Sequence, residues 1–286
     1  MDDHHIKPLF RVFLVFILLG ARISEGAREF TLINYCQTTI WPAILSGDNS
    51  NGDGLALKAG QSVVFTLPDG WKGRIWGRTG CNFDLNGNGS CQTGSCGSSL
   101  KCSTSGKTPA TLAEFNLVPV NYYDVSLVDG FNLPITVTPV NGQGNCTIVG
   151  CEKDLLDNCP SELSIKDDSK TVGCRNACDM FDTDEYCCRG AYSTSDTCPP
   201  TNYSKLFKKA CPTAYSYAYD DSSSLFTCSD ADYVISFCTK SGKNERVCTY
   251  HINRLICSGS LRRASTRKWL VVLLLSFVSL CSSLLL

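Results

Sequence analysis

Apolar and polar residues alternate through 29–35, 61–67, 73–79, 110–117, 122–128 and 135–140, with glycine, proline and Asp-Gly turns between these runs. A period of two marks a strand with one buried face, and several short strands at close spacing predict a mainly β chain built as a sandwich or barrel. Amphipathic runs of helix length are few. The pattern changes across 146–211, where cysteines come every few residues and alternation gives way to segments such as 159–174 and 176–189. There the chain predicts a disulfide-stapled lobe of loops and short helices.

The two ends read as processing signals. Lys7 and Arg11 precede an apolar run at 12–19, and the small residues Ser24 and Gly26 stand just before Ala27, so residues 1–26 are expected to be a cleaved signal peptide. The run is far shorter than the roughly 20 residues of a spanning helix. At the other end, 269–286 is almost wholly apolar, follows the polar stretch 261–268 and is preceded by Ser258, Gly259 and Ser260. Small residues, polar spacer and apolar tail make a GPI-attachment signal, with Ser258 the preferred site, Gly259 and Ser260 its alternatives, and 259–286 removed. A permanent membrane helix would leave Arg262, Arg263, Arg267 and Lys268 on the lumenal side, against the positive-inside tendency. The expected location is the outer face of the plasma membrane, held only by the lipid anchor.

Cysteine usage agrees with export. Of nineteen cysteines, Cys281 lies in the apolar tail, which leaves an even set. In an oxidising compartment such a set reads as a disulfide framework rather than as metal ligands, and no metal site is expected. Cys187 and Cys188 are adjacent; Cα atoms about 3.8 Å apart fall below the usual disulfide range, so each should staple a different loop.

The whole chain has 26 Lys and Arg against 27 Asp and Glu; residues 1–26 hold three of each sign, and 259–286 hold four basic and no acidic residues, leaving a body of net charge −5. An acidic body without a basic block excludes nucleic acid and anionic lipid as expected partners. His4 and His5 leave with the signal, so His251 alone remains, and histidine-dependent nucleophilic chemistry is excluded. The glycine-rich segment 87–97 has no phosphate-loop context and reads as turns. No cofactor is expected.

Carboxylates remain as candidate chemistry. Alternation through 112–117 places Glu114 opposite Phe115 and Leu117, so it projects outward if those two face the core. Asp124 follows an aromatic pair, Asp129 occupies an Asp-Gly turn, and Asp220 lies just beyond Tyr215-Ser-Tyr217. If these segments adjoin, they form an acidic cleft.

Five motifs carry a family resemblance: Asn34-Tyr-Cys-Gln-Thr-Thr-Ile-Trp41, Gly87-Asn-Gly-Ser-Cys-Gln-Thr-Gly-Ser-Cys96, Thr111-Leu-Ala-Glu-Phe115, Asp184-Glu-Tyr-Cys-Cys188 and Cys211-Pro-Thr-Ala-Tyr-Ser-Tyr217. Together they closely resemble the plant thaumatin-like proteins, pathogenesis-related family five, over residues 30–238, sixteen cysteines included. The resemblance implies a thaumatin-like β-sandwich spanning 27–238, bearing a small disulfide-closed hairpin lobe at 81–102 and a cysteine-rich lobe at 146–211. It implies the pairs Cys36–Cys238, Cys81–Cys91, Cys96–Cys102, Cys146–Cys228, Cys151–Cys211, Cys159–Cys174, Cys178–Cys187 and Cys188–Cys198. Cys248 and Cys257 fall in an extension, 239–258, beyond the family's usual end, and by elimination are expected to bond to each other.

The family's interlobe cleft is lined by an arginine, a glutamate and three aspartates, to which the resemblance matches Lys107, Glu114, Asp124, Asp129 and Asp220. Lysine in place of arginine keeps the charge and loses the planar fork. Ser95 also departs from the family's usual aspartate. The implied function is a surface-tethered defence or wall-recognition protein, monomeric, antifungal, and binding β-1,3-glucan or a related polysaccharide in the cleft. The alternative is a weak endo-β-1,3-glucanase with Glu114 as general acid and Asp124 or Asp129 as partner carboxylate. Glycosylation sequons stand at Asn88, Asn145 and Asn202, each expected in a turn or loop.

Overall fold

The structure, a computed structural model, describes residues 26–48, 52–238, 247–251 and 254–258, the last two stretches as backbone. The processing segments 1–25 and 259–286 lie outside the described residues, and among the described residues no helix is long and apolar enough to cross a membrane.

In chain order the strands are β1 (Ala27–Asn34), β2 (Trp41–Ser46), β3 (Gly52–Gly54), β4 (Gln61–Pro68), β5 (Lys72–Arg78), β6 (Asn82–Phe83), β7 (Gly89–Ser90), β8 (Leu112–Asn116) and β9 (Val120–Ser126). They continue as β10 (Ile135–Val140), β11 (Val149–Cys151), β12 (Ser164–Asp167), β13 (Lys170–Cys174), β14 (Phe226–Ser229), β15 (Asp232–Phe237), β16 (Val247–His251) and β17 (Arg254–Ser258). Four short helices are α1 (Ala177–Phe181), α2 (Asp184–Cys187), α3 (Asn202–Ala210) and α4 (Asp221–Ser224).

Two large sheets form the sandwich, one ordered β11-β10-β15-β1-β4-β16-β17 and the other β14-β9-β8-β5-β2-β3. Alternation fills the space between them: Phe30 and Leu32 of β1 meet Ile75, Phe115 and Tyr123 from the facing sheet, all buried in one apolar cluster. Phe30 is central to it, with ring centroids 5.0 Å from Phe115 and 5.3 Å from Tyr233. Such pairs add about 1 kcal/mol beyond their burial.

The outer face of the six-stranded sheet is divided. Trp76, Leu45, Ala43 and Leu112 are buried there in a second cluster with Cys96 and Cys102 of the hairpin region that carries β6 and β7. Arg78 is buried in the same direction, with Nε donating to Trp41 O (2.9 Å) and Nη2 to Leu100 O (2.7 Å). Burial pushes its guanidinium down to about 10. The same alternating row of β5 continues past this cover as Arg74 and Lys72, which are not buried.

Among the described residues eight bridges staple this framework: Cys36–Cys238, Cys81–Cys91, Cys96–Cys102, Cys146–Cys228, Cys151–Cys211, Cys159–Cys174, Cys178–Cys187 and Cys188–Cys198. In the cysteine-rich region, 159–174 is not the loop-and-helix segment the sequence predicts. Residues 164–174 of it form the β12–β13 hairpin, in which only Gly173 and Cys174 are buried, so that no alternation shows in the sequence. The helices α1 and α2 do occupy 176–189, capped by Asn176 and Thr183 side chains.

Candidate functional site

Register assembles the carboxylates. Arg74 of β5 pairs with Glu114 of β8, and Glu114 pairs with Asp124 of β9, so the three side chains stand in one row across the uncovered half of the sheet. Arg74 Nη2 lies 3.6 Å from Glu114 Oε1, and Nη1 lies 4.0 Å from Asp129 Oδ2 in the turn after β9. Lys72 and Asn116 extend the row, while Tyr122 and Leu225 stand exposed beside it and line a cavity of about 420 Å³ with Glu114 and Asp124. A second cavity of about 260 Å³ begins at Asp129 and runs into the cysteine-rich region past Tyr186, Tyr203 and Tyr217. Arg74 lines the first and Asp129 the second, and their ion pair lies between the two.

Two of the residues expected in this cleft have other positions. Lys107 is exposed, its main-chain N–H donates to Ser95 O, and it lines neither cavity; the cation among the carboxylates is Arg74. Alternation through 73–79 puts Arg74 on a sheet face, but only the strand register shows that the face is the one bearing Glu114. The planar fork that the lysine match would have removed is therefore present.

Asp220 is turned away into a polar cage. Its Oδ2 accepts from Ser216 N (3.0 Å), Ser216 Oγ (2.9 Å) and Lys208 Nζ (2.9 Å), and its Oδ1 from Ser223 Oγ (2.9 Å). Burial alone would raise this carboxyl; the hydrogen bonds from Lys208 and the serines outweigh it and hold Asp220 below the usual carboxylate range. The neighbour Asp221 takes its place. It accepts from Tyr215 Oη at 2.6 Å, and its charge acts on Asp124. Tyr215 is in turn fixed by main-chain bonds to β9, its N–H donating to Val125 O and its carbonyl accepting from Leu127 N.

Electrostatically the row is strained. Burial, more than any charge, raises Glu114 and Asp129, and Arg74 opposes the rise in both. Asp124 is pushed up to about 8, first by burial, then by Glu114 and Asp221, with Arg74 too weak to compensate. Its Oδ1 is buried without a hydrogen-bond partner among the described residues.

The sequons are exposed, though not all in loops: Asn88 forms an isolated bridge with Ser99, Asn145 lies in a connection, and Asn202 is the first residue of α3.

A twisted sandwich stapled by eight bridges, with a carboxylate row left open between two disulfide-closed regions, defines the thaumatin class of fold. Residues 34–239 match the Thaumatin family. The chain is 50% identical over 232 residues to pathogenesis-related thaumatin-like protein 3.5 of Cryptomeria japonica, covering 80% of this chain and 97% of that one. It is 51% identical over 239 residues to pathogenesis-related protein 5 of Arabidopsis thaliana, covering 82% and 99%. The chain thus belongs to the thaumatin family and resembles its plant pathogenesis-related members. A laminaripentaose-producing β-1,3-glucanase, solved with laminaritetraose, shares the fold at 10% identity, with a TM-score of 0.54 over 73% of this chain and 98% of that one.

Proposed function

We propose that this protein is an exported plant defence or wall-recognition protein, tethered at the outer face of the plasma membrane, that binds β-1,3-glucan or a related neutral wall polysaccharide in the Glu114–Asp124–Asp129 cleft. The observation that carries the proposal is the open row itself: Arg74, Glu114 and Asp124 side by side, with Tyr122 exposed at one end and Tyr186, Tyr203 and Tyr217 beyond Asp129 at the other. Carboxylates accept hydrogen bonds from sugar hydroxyls, the arginine fork donates to ring and hydroxyl oxygens, and aromatic faces pack on sugar rings. Antifungal action would follow from recognition of fungal wall glucan. The acidic body suits a neutral ligand, and the protein is proposed to act as a monomer.

Facing carboxyl groups on adjacent strands also favour the second proposal, weak endo-β-1,3-glucan hydrolysis by Glu114 with Asp124 or Asp129. A glycan array with purified protein tests binding, and release of reducing ends from β-1,3-glucan tests hydrolysis. Wild type is expected to retain β-1,3-glucan on the array; failure to retain any wall glycan rejects the binding proposal. If reducing ends appear and Glu114→Gln abolishes them while binding persists, the chain is a hydrolase; if none appear, hydrolysis is rejected.

A further inference from the structure

We propose that Asp124 is held as a neutral carboxylic acid, the resident proton of the cleft, and that it meets a bound glycan as a hydrogen-bond donor while Glu114 meets it as an ionised acceptor. The inference deepens the glycan-binding proposal and rests on it only for the second half of that statement.

Glu114 and Asp124 are directly opposite on β8 and β9, where Cβ atoms stand about 5 Å apart. Two carboxylates at that separation in a partly desolvated site do not both ionise without a cation between them. The cation available is Arg74, and it is committed elsewhere: its fork reaches Glu114 at 3.6 Å and Asp129 at 4.0 Å, one nitrogen to each. No ion pair to Asp124 forms among the described residues. Asp221, a third acid whose Oδ1 accepts from Tyr215, also acts on Asp124. Lys72 acts on Glu114 and not on Asp124. Among the described residues, the charges that act on Asp124 are thus two acids, Glu114 and Asp221, and one cation, Arg74, whose nitrogens lie against other acids.

The orphaned Oδ1 completes the case. An ionised carboxylate with a buried oxygen that accepts nothing would carry a full desolvation penalty; a protonated one carries far less. The burial-driven rise of this carboxyl agrees. Chemically the row then offers three different contacts in sequence: a donor fork at Arg74, an acceptor at Glu114 and a donor at Asp124. A sugar presents hydroxyls that both give and accept, and a bridging oxygen that only accepts, so an acid donor beside an anionic acceptor discriminates for orientation in a way that two anions would not.

Carbon-13 NMR of the side-chain carboxyls, on protein labelled at aspartate only and without glycan, tests the proton directly. One aspartate is expected to titrate near pH 8, and that signal should vanish in Asp124→Asn. In Glu114→Gln its midpoint should fall toward the usual aspartate range, because a like charge has been removed. If every aspartate titrates below about pH 5, or if the high-titrating signal survives in Asp124→Asn, the inference fails whatever the glycan data show. The wild-type titration needs no variant to fold. With β-1,3-gluco-oligosaccharide added, wild-type affinity should drop several-fold between pH 7 and pH 9 while Asp124→Asn, a permanent donor, stays flat. A titration as expected with pH-independent wild-type binding would overturn the donor role and leave the binding proposal standing.

Discussion

At the scale of single residues, Asp124 and Asp220 show how surroundings separate two aspartates of one small region. Asp124 keeps its proton to about pH 8 in the folded chain, whereas the unfolded carboxyl loses it near 3.9. Below about pH 3 both forms are protonated and the site costs nothing. As pH rises toward 8 the unfolded state alone releases its proton, so native stability falls through that window and levels off above it. The thermal midpoint is therefore expected to decline from pH 5 to pH 8 and to decline less in Asp124→Asn, as read by calorimetry; identical pH profiles would contradict the assignment. Asp220 has the opposite sign: its carboxyl lies below the usual range, so its contribution is present above the unfolded value and lost as pH falls through the folded one. Asp220→Asn strips Lys208 of its anion at 2.9 Å and is expected to cost about 2–3 kcal/mol at pH 7 by denaturant unfolding, with most of that cost gone in acid.

At the scale of elements, what was legible depended on whether one face of a strand met water. The six alternating runs all form strands, and Glu114 does project from the face opposite Phe115. Strand β2 escaped notice because four consecutive residues, Pro42 to Leu45, are buried: the sandwich core covers one face and the hairpin region the other, which erases alternation. In β15 apolar Val234 takes a half-buried position between buried Tyr233 and Ile235, and β11 is wholly buried, so neither shows alternation in the sequence. The arginine of the cleft was visible as a strand residue but not as Glu114's neighbour, since register across strands is set by tertiary pairing. Likewise Asp220 and Asp221 are adjacent in sequence, and only the turn before α4 decides which of them faces Asp124. The attachment of the hairpin region rests on Arg78 and Asn132. Asn132 Nδ2 donates to Gly77 O and Thr93 Oγ1, both at 2.8 Å, and its Oδ1 accepts from Thr111 N at 3.0 Å. Asn132→Ala leaves Gly77 O and Thr111 N without this partner, while Thr93 Oγ1 keeps its bond to Thr79 Oγ1, and is expected to destabilise by about 2–3 kcal/mol, with faster amide exchange around Thr111. An unfolding curve that matches wild type would show that this network is dispensable.

At the scale of the whole molecule, eight bridges of short and long span limit the unfolded chain, each by about 2–4 kcal/mol in the loop-entropy account, without simple addition. Cys248 and Cys257 are directly opposite in the β16–β17 register, a placement within disulfide reach, so peptide mapping of unreduced protein is expected to return them linked; a free thiol at either position rejects the pairing. β17 ends at Ser258, the proposed lipid attachment residue, on the edge of the seven-stranded sheet. The carboxylate row belongs to the other sheet, so a tether there leaves the cleft open to wall polymers. Phospholipase treatment of intact cells is expected to release the protein, and retention beside a released control would count against the anchor. The most direct test of the account is calorimetric titration of purified protein with a β-1,3-gluco-oligosaccharide series, wild type beside Glu114→Ala. Saturable binding that tightens with chain length and weakens about tenfold or more in Glu114→Ala is expected, since a hydrogen bond to a charged acceptor contributes about 1.5–3 kcal/mol. No binding by wild type, or binding that Glu114→Ala leaves unchanged, would contradict it.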